Sequence, residues 1–270
     1  MDTITHLVTG ATDGIGLQTA LELARRGGRV LVHGRSEKKA TTACQAIRKQ
    51  HGAARVEPVW GDFAKFEDVR ALATQVTRLA PSLDVLVNNA GVYLSERTVT
   101  ADGHEATLQI NHLAPFLLTT LLRGPLESAS QGRVVNVSSM AHARGKVVLD
   151  DLESARGYEG YAVYGLSKLL NVHFTHELAR RLAGTRVTAA ALHPGVITTK
   201  LLRAGFNMSG ASLESGARTS VYCATAPELA QITGRYFSDA REVPCAPHAN
   251  DPKLEATLWD RSEVMVSGAR

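Results

Sequence analysis

The sequence is poor in cysteine, and it lacks both a long apolar run and a block of like charge. Its three cysteines, Cys44, Cys223 and Cys245, are odd in number, far apart and free of any CxxC pair. That pattern excludes a disulfide framework and a zinc ribbon, and it points to a reducing compartment, with the cytoplasm as the default address. No stretch approaches the roughly 18 apolar residues of a membrane span. The first residues, Met1-Asp2-Thr3-Ile4-Thr5-His6, offer no basic region followed by an apolar one, so no secretion signal is expected. Thirty Lys and Arg against 26 Asp and Glu leave a net charge of +4. The basic residues come as pairs (Arg25-Arg26, Lys38-Lys39, Arg180-Arg181) in helix-like stretches, which reads as solvated helix faces and gives no nucleic-acid stripe.

What the chain does have is alternation. Short Val- and Leu-rich runs at 5–9, 29–33, 55–60, 84–88, 133–138, 186–192 and, more weakly, 234–237 read as parallel strands buried on both faces. Helix-period segments lie between them at 16–26, 37–51, 66–79, 107–122, 161–182 and 212–225. Strict β-α-β order implies right-handed crossovers and a doubly wound, Rossmann-type α/β sheet of about seven strands with helices on both faces. With 270 residues, 44% hydrophobic, and no linker or repeat, the count is one domain over 1–270. Two loop-like stretches break the rhythm, 141–160 and 198–211, and both leave the carboxyl ends of strands, where ligands bind in such sheets.

The first strand runs into Thr9-Gly10-Ala11-Thr12-Asp13-Gly14-Ile15-Gly16 and then a helix. Gly10 suits a tight turn, Gly14 lets backbone amides approach a pyrophosphate, and Gly16 permits close helix–strand packing. The helix N-terminus would carry the phosphates. An NAD site usually ends its second strand with an acidic residue. Here the strand ends Val32-His33-Gly34-Arg35-Ser36, with Lys38 close by, and a cation near a 2′-phosphate favours NADP(H).

Further motifs follow in order: Asn88-Asn89-Ala90-Gly91, Asn111, Ser138-Ser139, Tyr164-Gly165-Leu166-Ser167-Lys168 and His193-Pro194-Gly195-Val196-Ile197-Thr198-Thr199. Together they resemble the short-chain dehydrogenase/reductase family over nearly the whole chain. Gly234-Arg235-Tyr236-Phe237-Ser238-Asp239 and Leu258-Trp259 look most like its retinol-dehydrogenase-like branch. Lys168 lies one turn beyond Tyr164, so ammonium and phenol share a helix face. A phenol titrates near pKa 10, and an adjacent cation is expected to bring it down by about one to three. Tyr158 and Tyr161 have Ala162 and Gly165 four residues on; Tyr164 has the lysine.

The resemblance implies Tyr164 as acid/base, Lys168 as its electrostatic partner and a ribose ligand, and Asn111 as holder of a water in a proton relay. It puts the oxygen-steadying role on Ser139, although chemistry alone leaves Ser138 open. The 25 residues from Ser139 to Tyr164 exceed the family's usual spacing. For the cofactor it implies the loop residues Gly10 to Gly16 (Thr12, Asp13 and Ile15 among them) and Arg35 with Ser36. It also implies Asp62 with Phe63 at the adenine, Asn89, Ala90 and Gly91 along the ribose, and Pro194, Gly195, Val196 and Thr199 at the nicotinamide. Asp13 stands where some NADP-preferring members have a basic residue, which leaves most phosphate recognition to Arg35.

His173-Phe174-Thr175-His176 is an H-x-x-H pair, but nine residues from Tyr164 turn His173 away from the active face, and no metal is expected. That outer face suits a neighbouring helix or a second subunit, and the family commonly dimerises through the 161–182 helix. No G-x-S-x-G elbow supports a hydrolase. Val92, Tyr93 and Leu94, with Leu201, Leu202, Phe206 and Met208 of a lid at 198–211, suit a small hydrophobic carbonyl or alcohol substrate if they converge. The alternative to an oxidoreductase is a non-catalytic NADP-binding sensor or scaffold.

Overall fold

The computed structural model describes residues 3–199, 202 and 209–268. Strands β1 (Thr5–Val8), β2 (Arg29–Gly34), β3 (Arg55–Trp60), β4 (Val85–Asn88), β5 (Gly132–Val137), β6 (Val187–His193) and β7 (Arg235–Ser238) pair in parallel in the order β3-β2-β1-β4-β5-β6-β7. A two-residue β8 (Arg241–Glu242) adds antiparallel to β7, so the described sheet has eight strands, one more than expected. Strand order reverses between β1 and β4, and the crevice outside the strand ends there is where such sheets bind ligands.

Successive side chains of each strand face opposite layers. Leu7, Leu31 and Leu86 face α3 (Phe66–Leu79), α5 (Ala114–Leu121) and α7 (Gly160–Arg181). Val8, Val30, Val32 and Val87 face α1 (Gly14–Arg25), α2 (Glu37–Gln50) and α8 (Leu213–Thr225). Strands buried on both sides have no polar face to alternate with, hence their near-continuous apolar sequence. Two buried polar links cross this core: Asn88 donates to Asn136 (2.9 Å), and Asn136 donates to Thr175 on α7 (2.9 Å).

The expected helix over 107–122 is broken. Ala106–Leu108 (α4) passes into a π turn, Gln109–Leu113, before α5 and then α6 (Arg123–Ser128). Pro115 explains the break: it cannot donate to the Asn111 carbonyl, and its ring crowds that carbonyl. A further helix not expected from the sequence, α9 (Pro252–Ser267), is capped by Asp251 through the Lys253 and Leu254 amides, with Pro252 at its first position.

α9 lies across α7 and places Trp259 against Phe116 and Phe174. The outer face of α7 therefore meets a neighbouring helix of the same chain. His176 Nδ1 is 2.9 Å from Glu255 on α9, His173 Nδ1 is 3.6 Å from it, and Arg180 also pairs with it. Burial opposes a charge on His176, but hydrogen bonds to Cys245 and Glu255 overcome it and lift its pKa to about 9. Burial likewise opposes the Glu255 charge, and His173, His176 and Arg180 hold that carboxyl well below its usual range.

Candidate active site

A cavity of about 850 Å³ opens along the carboxyl ends of the strands, from the glycine loop to Tyr164 and His193. Gly10 begins the loop at φ +62°, and a Cβ there would lie 2.8 Å from the Ala90 Cα, so both the turn and the close approach require glycine. At Gly16 a Cβ would fall 2.3 Å from the Asn89 amide and 2.4 Å from the Gly10 carbonyl, which is the close packing expected of it. Asp13 caps α1 by accepting from the Gly14 amide (2.8 Å). Thr12, Asp13, Gly14 and Ile15 all line the cavity.

Across the switch point, Asn89 donates to the Thr9 carbonyl (2.7 Å), and the Asn89 and Ala90 amides both donate to the Thr9 hydroxyl (2.9 and 3.0 Å). These two amides serve the glycine loop itself, and Gly91 continues the cavity wall. At the far end lie Asp62, whose carboxylate accepts from the Ala64 amide (3.0 Å), and Phe63. Arg35 stands exposed at the rim with no hydrogen bond or ion pair to the described residues. Ser36 does not line the cavity; it is exposed at the start of α2 and makes no side-chain cap bond.

At the other end, β5 and α7 bring Ser139, Tyr164 and Lys168 together. Ser138 also lines the cavity, but its hydroxyl is committed to the Lys168 carbonyl (2.7 Å). Ser139 accepts from the Ala141 amide (3.2 Å) at the start of a 3-10 turn, and its hydroxyl favours the ionised form of the neighbouring Tyr164 phenol. The Lys168 ammonium donates to the Val137 carbonyl (3.0 Å) and sits 5.5 Å from the centre of the Tyr164 ring.

The expected fall in the Tyr164 pKa is not what this arrangement gives. Burial pushes the phenol up to about 12, against the hydrogen bond from Ser139. Burial also brings Lys168 down to about 8. Desolvation thus dominates at both positions, and both groups are held toward their neutral forms.

Asn111 lies fully buried behind the cavity wall, within the π turn. Its side chain brackets Val92, accepting from the amide (2.7 Å) and donating to the carbonyl (2.9 Å), and it also donates to Ser167 (3.0 Å). Of the competing tyrosines, Tyr158 donates to the Leu94 carbonyl (3.0 Å), while Tyr161 lines the cavity.

Pro194, Gly195, Val196 and Thr199 line the cavity as well. Val92, Tyr93, Met140 and Leu202 line the same cavity, with Tyr93 edge-on to Tyr164 at 6.0 Å. Leu94 does not line the cavity, and Leu201, Phe206 and Met208 lie outside the described residues. The base of the 198–211 segment is closed: Ile197 bridges Ala211, and the Thr198 hydroxyl accepts from the Gly210 amide (2.7 Å) and donates to its carbonyl (2.9 Å).

The residue that sequence reasoning missed is His33. It is buried in the cavity wall beside the glycine loop. A histidine ending an otherwise apolar strand, just before Arg35, was the available signal.

The donor set fits a dinucleotide. Among the described residues Lys168 has one hydrogen bond for three N–H donors and the Arg35 guanidinium has none, and the glycine loop adds a helix N-terminus to the same cavity. The chain matches the short-chain dehydrogenase family over residues 5–210. It is 41% identical to mouse retinol dehydrogenase 14, over 97% of this chain and 85% of that protein. A crystallised, uncharacterised protein from Mycobacterium paratuberculosis superposes with a TM-score of 0.83 at 34% identity, covering 98% of this chain and 93% of that one. The RhlG/NADP complex from Pseudomonas aeruginosa superposes with a TM-score of 0.71 at 25% identity, covering 87% and 93%.

Proposed function

The chain belongs to the short-chain dehydrogenase/reductase family, within its retinol-dehydrogenase-like branch, and from that premise we propose that it uses NADP(H) to interconvert a hydrophobic alcohol and its aldehyde or ketone. One observation carries the reading: a single cavity holds the glycine loop and Arg35 at one end and Ser139, Tyr164 and Lys168 at the other.

Bound nicotinamide would supply or accept the hydride. The protein's own residues do the rest. Tyr164, neutral at pH 7 because its pKa is about 12, donates its proton to the carbonyl oxygen in the reductive direction. Ser139 donates a hydrogen bond to that oxygen and steadies it. Lys168, with its pKa near 8, remains charged at neutral pH, offers its remaining donors to a ribose, and compensates the phenolate as it forms. Asn111 holds Val92, and with it the wall next to Gly91, in register with Lys168. Arg35 takes the 2′-phosphate, and the walls of Val92, Tyr93, Met140, Val196 and Leu202 receive the apolar body of the substrate. The three unpaired cysteines suit the cytoplasm, and one cofactor-binding and catalytic domain suffices for the whole reaction.

The test is NADPH consumption with a panel of medium and large apolar aldehydes and ketones beside glyceraldehyde. Turnover favouring the apolar carbonyls is the expected result. Coenzyme binding without turnover of any carbonyl would leave a sensor or scaffold in its place. The NADP(H) assignment falls if NADH serves equally well.

A further inference from the structure

The end of β2 is tied to the glycine loop by one residue. The Ala11 amide donates to the His33 backbone carbonyl (2.8 Å), and the Gly10 amide donates to the His33 ring at Nδ1 (3.1 Å). The other ring nitrogen, Nε2, lies 2.9 Å from the Gly61 carbonyl. An amide donor on one side and a carbonyl acceptor on the other select one tautomer, with Nδ1 bare and Nε2 protonated. The ring is 2% exposed and stacks on Phe63 at 4.8 Å. Burial brings its pKa down to about 4, against the Gly61 hydrogen bond and the Asp62 charge, so the ring is neutral at physiological pH.

Through these contacts His33 joins three segments that line one cavity: the loop at Gly10, the Asp62–Phe63 end, and Arg35 two residues along its own backbone. Gly10 stands at φ +62°, where the chain reverses toward Ala90, so the bond falls on the loop's first turn. Gly34 closes the same contact from the other side, since a Cβ there would lie 2.5 Å from the Thr12 methyl.

We propose that His33 is a positioning residue for the coenzyme, holding the first turn of the glycine loop in register with Asp62–Phe63 and Arg35 through its bond to Gly10. The inference rests on the coenzyme reading of the cavity. The ring carries no charge to the phosphates and acts through the loop that would bind them.

The two ring bonds can be separated by substitution. An asparagine amide oxygen can stand in for Nδ1 and keep the Gly10 bond, whereas a glutamine amide nitrogen can stand in for Nε2 and keep the Gly61 bond. His33→Leu keeps neither. NADPH affinity is measured by fluorescence titration, turnover at saturating NADPH, folding by melting temperature, and the Gly10 bond by amide hydrogen exchange.

The expected result is a loss of NADPH affinity of about tenfold in His33→Gln and His33→Leu, the size of one lost hydrogen bond. Gly10 exchange should be faster in both, with turnover at saturation unchanged. His33→Asn should remain within about threefold of wild type in affinity. Folded Gln and Leu variants that bind NADPH as tightly as wild type overturn the proposal. So does an Asn variant as weak as the Gln variant, a comparison that stands even if the Leu variant does not fold. Failure of the wild-type protein to bind NADPH would remove the coenzyme reading first, and the role of His33 with it.

Discussion

On the glycine-loop side of the cavity, position is set by the backbone: Gly10 at φ +62°, loop amides donating to His33, and the Asn89 and Ala90 amides donating to Thr9. On the α7 side it is set by side chains of one long helix, with Tyr164 and Lys168 a turn apart and Ser139 facing them from the end of β5. The loop side needs shape and donors for a polar ligand, which glycine and main-chain amides provide. The helix side needs a proton at one point, which a rigid helix fixes. Damage to the first should therefore appear mainly in coenzyme affinity, and damage to the second mainly in turnover.

The sharpest test of that division is Tyr164→Phe. Losing the proton donor should lower kcat by about 10²–10⁴ with coenzyme affinity unchanged. Steady-state kinetics beside a binding titration checks both, and near-wild-type turnover would end the assignment.

Lys168→Ala should cross the division, because one ammonium serves both the phenol and a ribose. A fall in kcat and a rise in the coenzyme KM, each about tenfold or more, are expected together. A change in kcat alone would confine the lysine to the helix side.

Arg35→Ala should stay on the loop side. Loss of a charge-assisted phosphate contact costs about 1.5–3 kcal/mol, or roughly 10–150-fold in the KM for NADPH, with little change for NADH. Equal effects on the two coenzymes would make Arg35 a general structural residue.

The smallest effects are in stability, and two histidines sharpen the contrast there. His33, lowered to about 4 by burial alone, refuses a proton that the unfolded chain accepts near pH 6.5. Folding stability should therefore fall as pH drops from about 6.5 toward 4, with buried His6 and His112 and half-buried His193 adding to the slope. His176, raised to about 9 by Cys245 and Glu255, works in the opposite sense. Its stabilisation is complete below about 6.5 and is lost as pH rises through about 9. Glu255→Gln should cost about 1–3 kcal/mol near neutral pH and flatten the alkaline slope, leaving the acid slope in place. Melting curves from pH 4 to 9.5 read both slopes, and an unchanged alkaline slope in the variant would refute the role of Glu255.

The strands were legible because burial on both faces leaves little but Val, Leu and Ala between the turns. Gly10, Gly16, Tyr164 and Lys168 were legible because their spacing carries their geometry. The π turn at Gln109–Leu113 was not, since apolar periodicity runs through Pro115 and hides the missing donor. α9 carried its signals, an Asp-Pro start and Gly268 at φ +74°, but its period is weak because salt bridges and Trp259 hold it as much as aliphatic packing does. The Tyr164 pKa could not be read from a Tyr–Lys spacing, because desolvation depends on what the rest of the chain places around the pair. His33 escaped for a related reason: its partners, Gly10 and Gly61, are main-chain atoms and leave no mark in the sequence pattern.

The closed base of the 198–211 segment has a consequence for how this protein can diverge. Where Thr198 and Gly210 exchange hydrogen bonds and Ile197 meets Ala211, the two ends of the segment are fixed to each other. Closing a loop costs about 0.6 kcal/mol more for each doubling of its length, so a neck that already holds the two ends together keeps that part of the cost of a length change small. If the 198–211 segment walls the substrate pocket as proposed, substrate range can drift by exchanging that segment while Tyr164, Lys168 and the glycine loop are inherited untouched. The neck works as a graft point, and chimaeras cut at 198 and 210 should exchange specificity without refolding the enzyme.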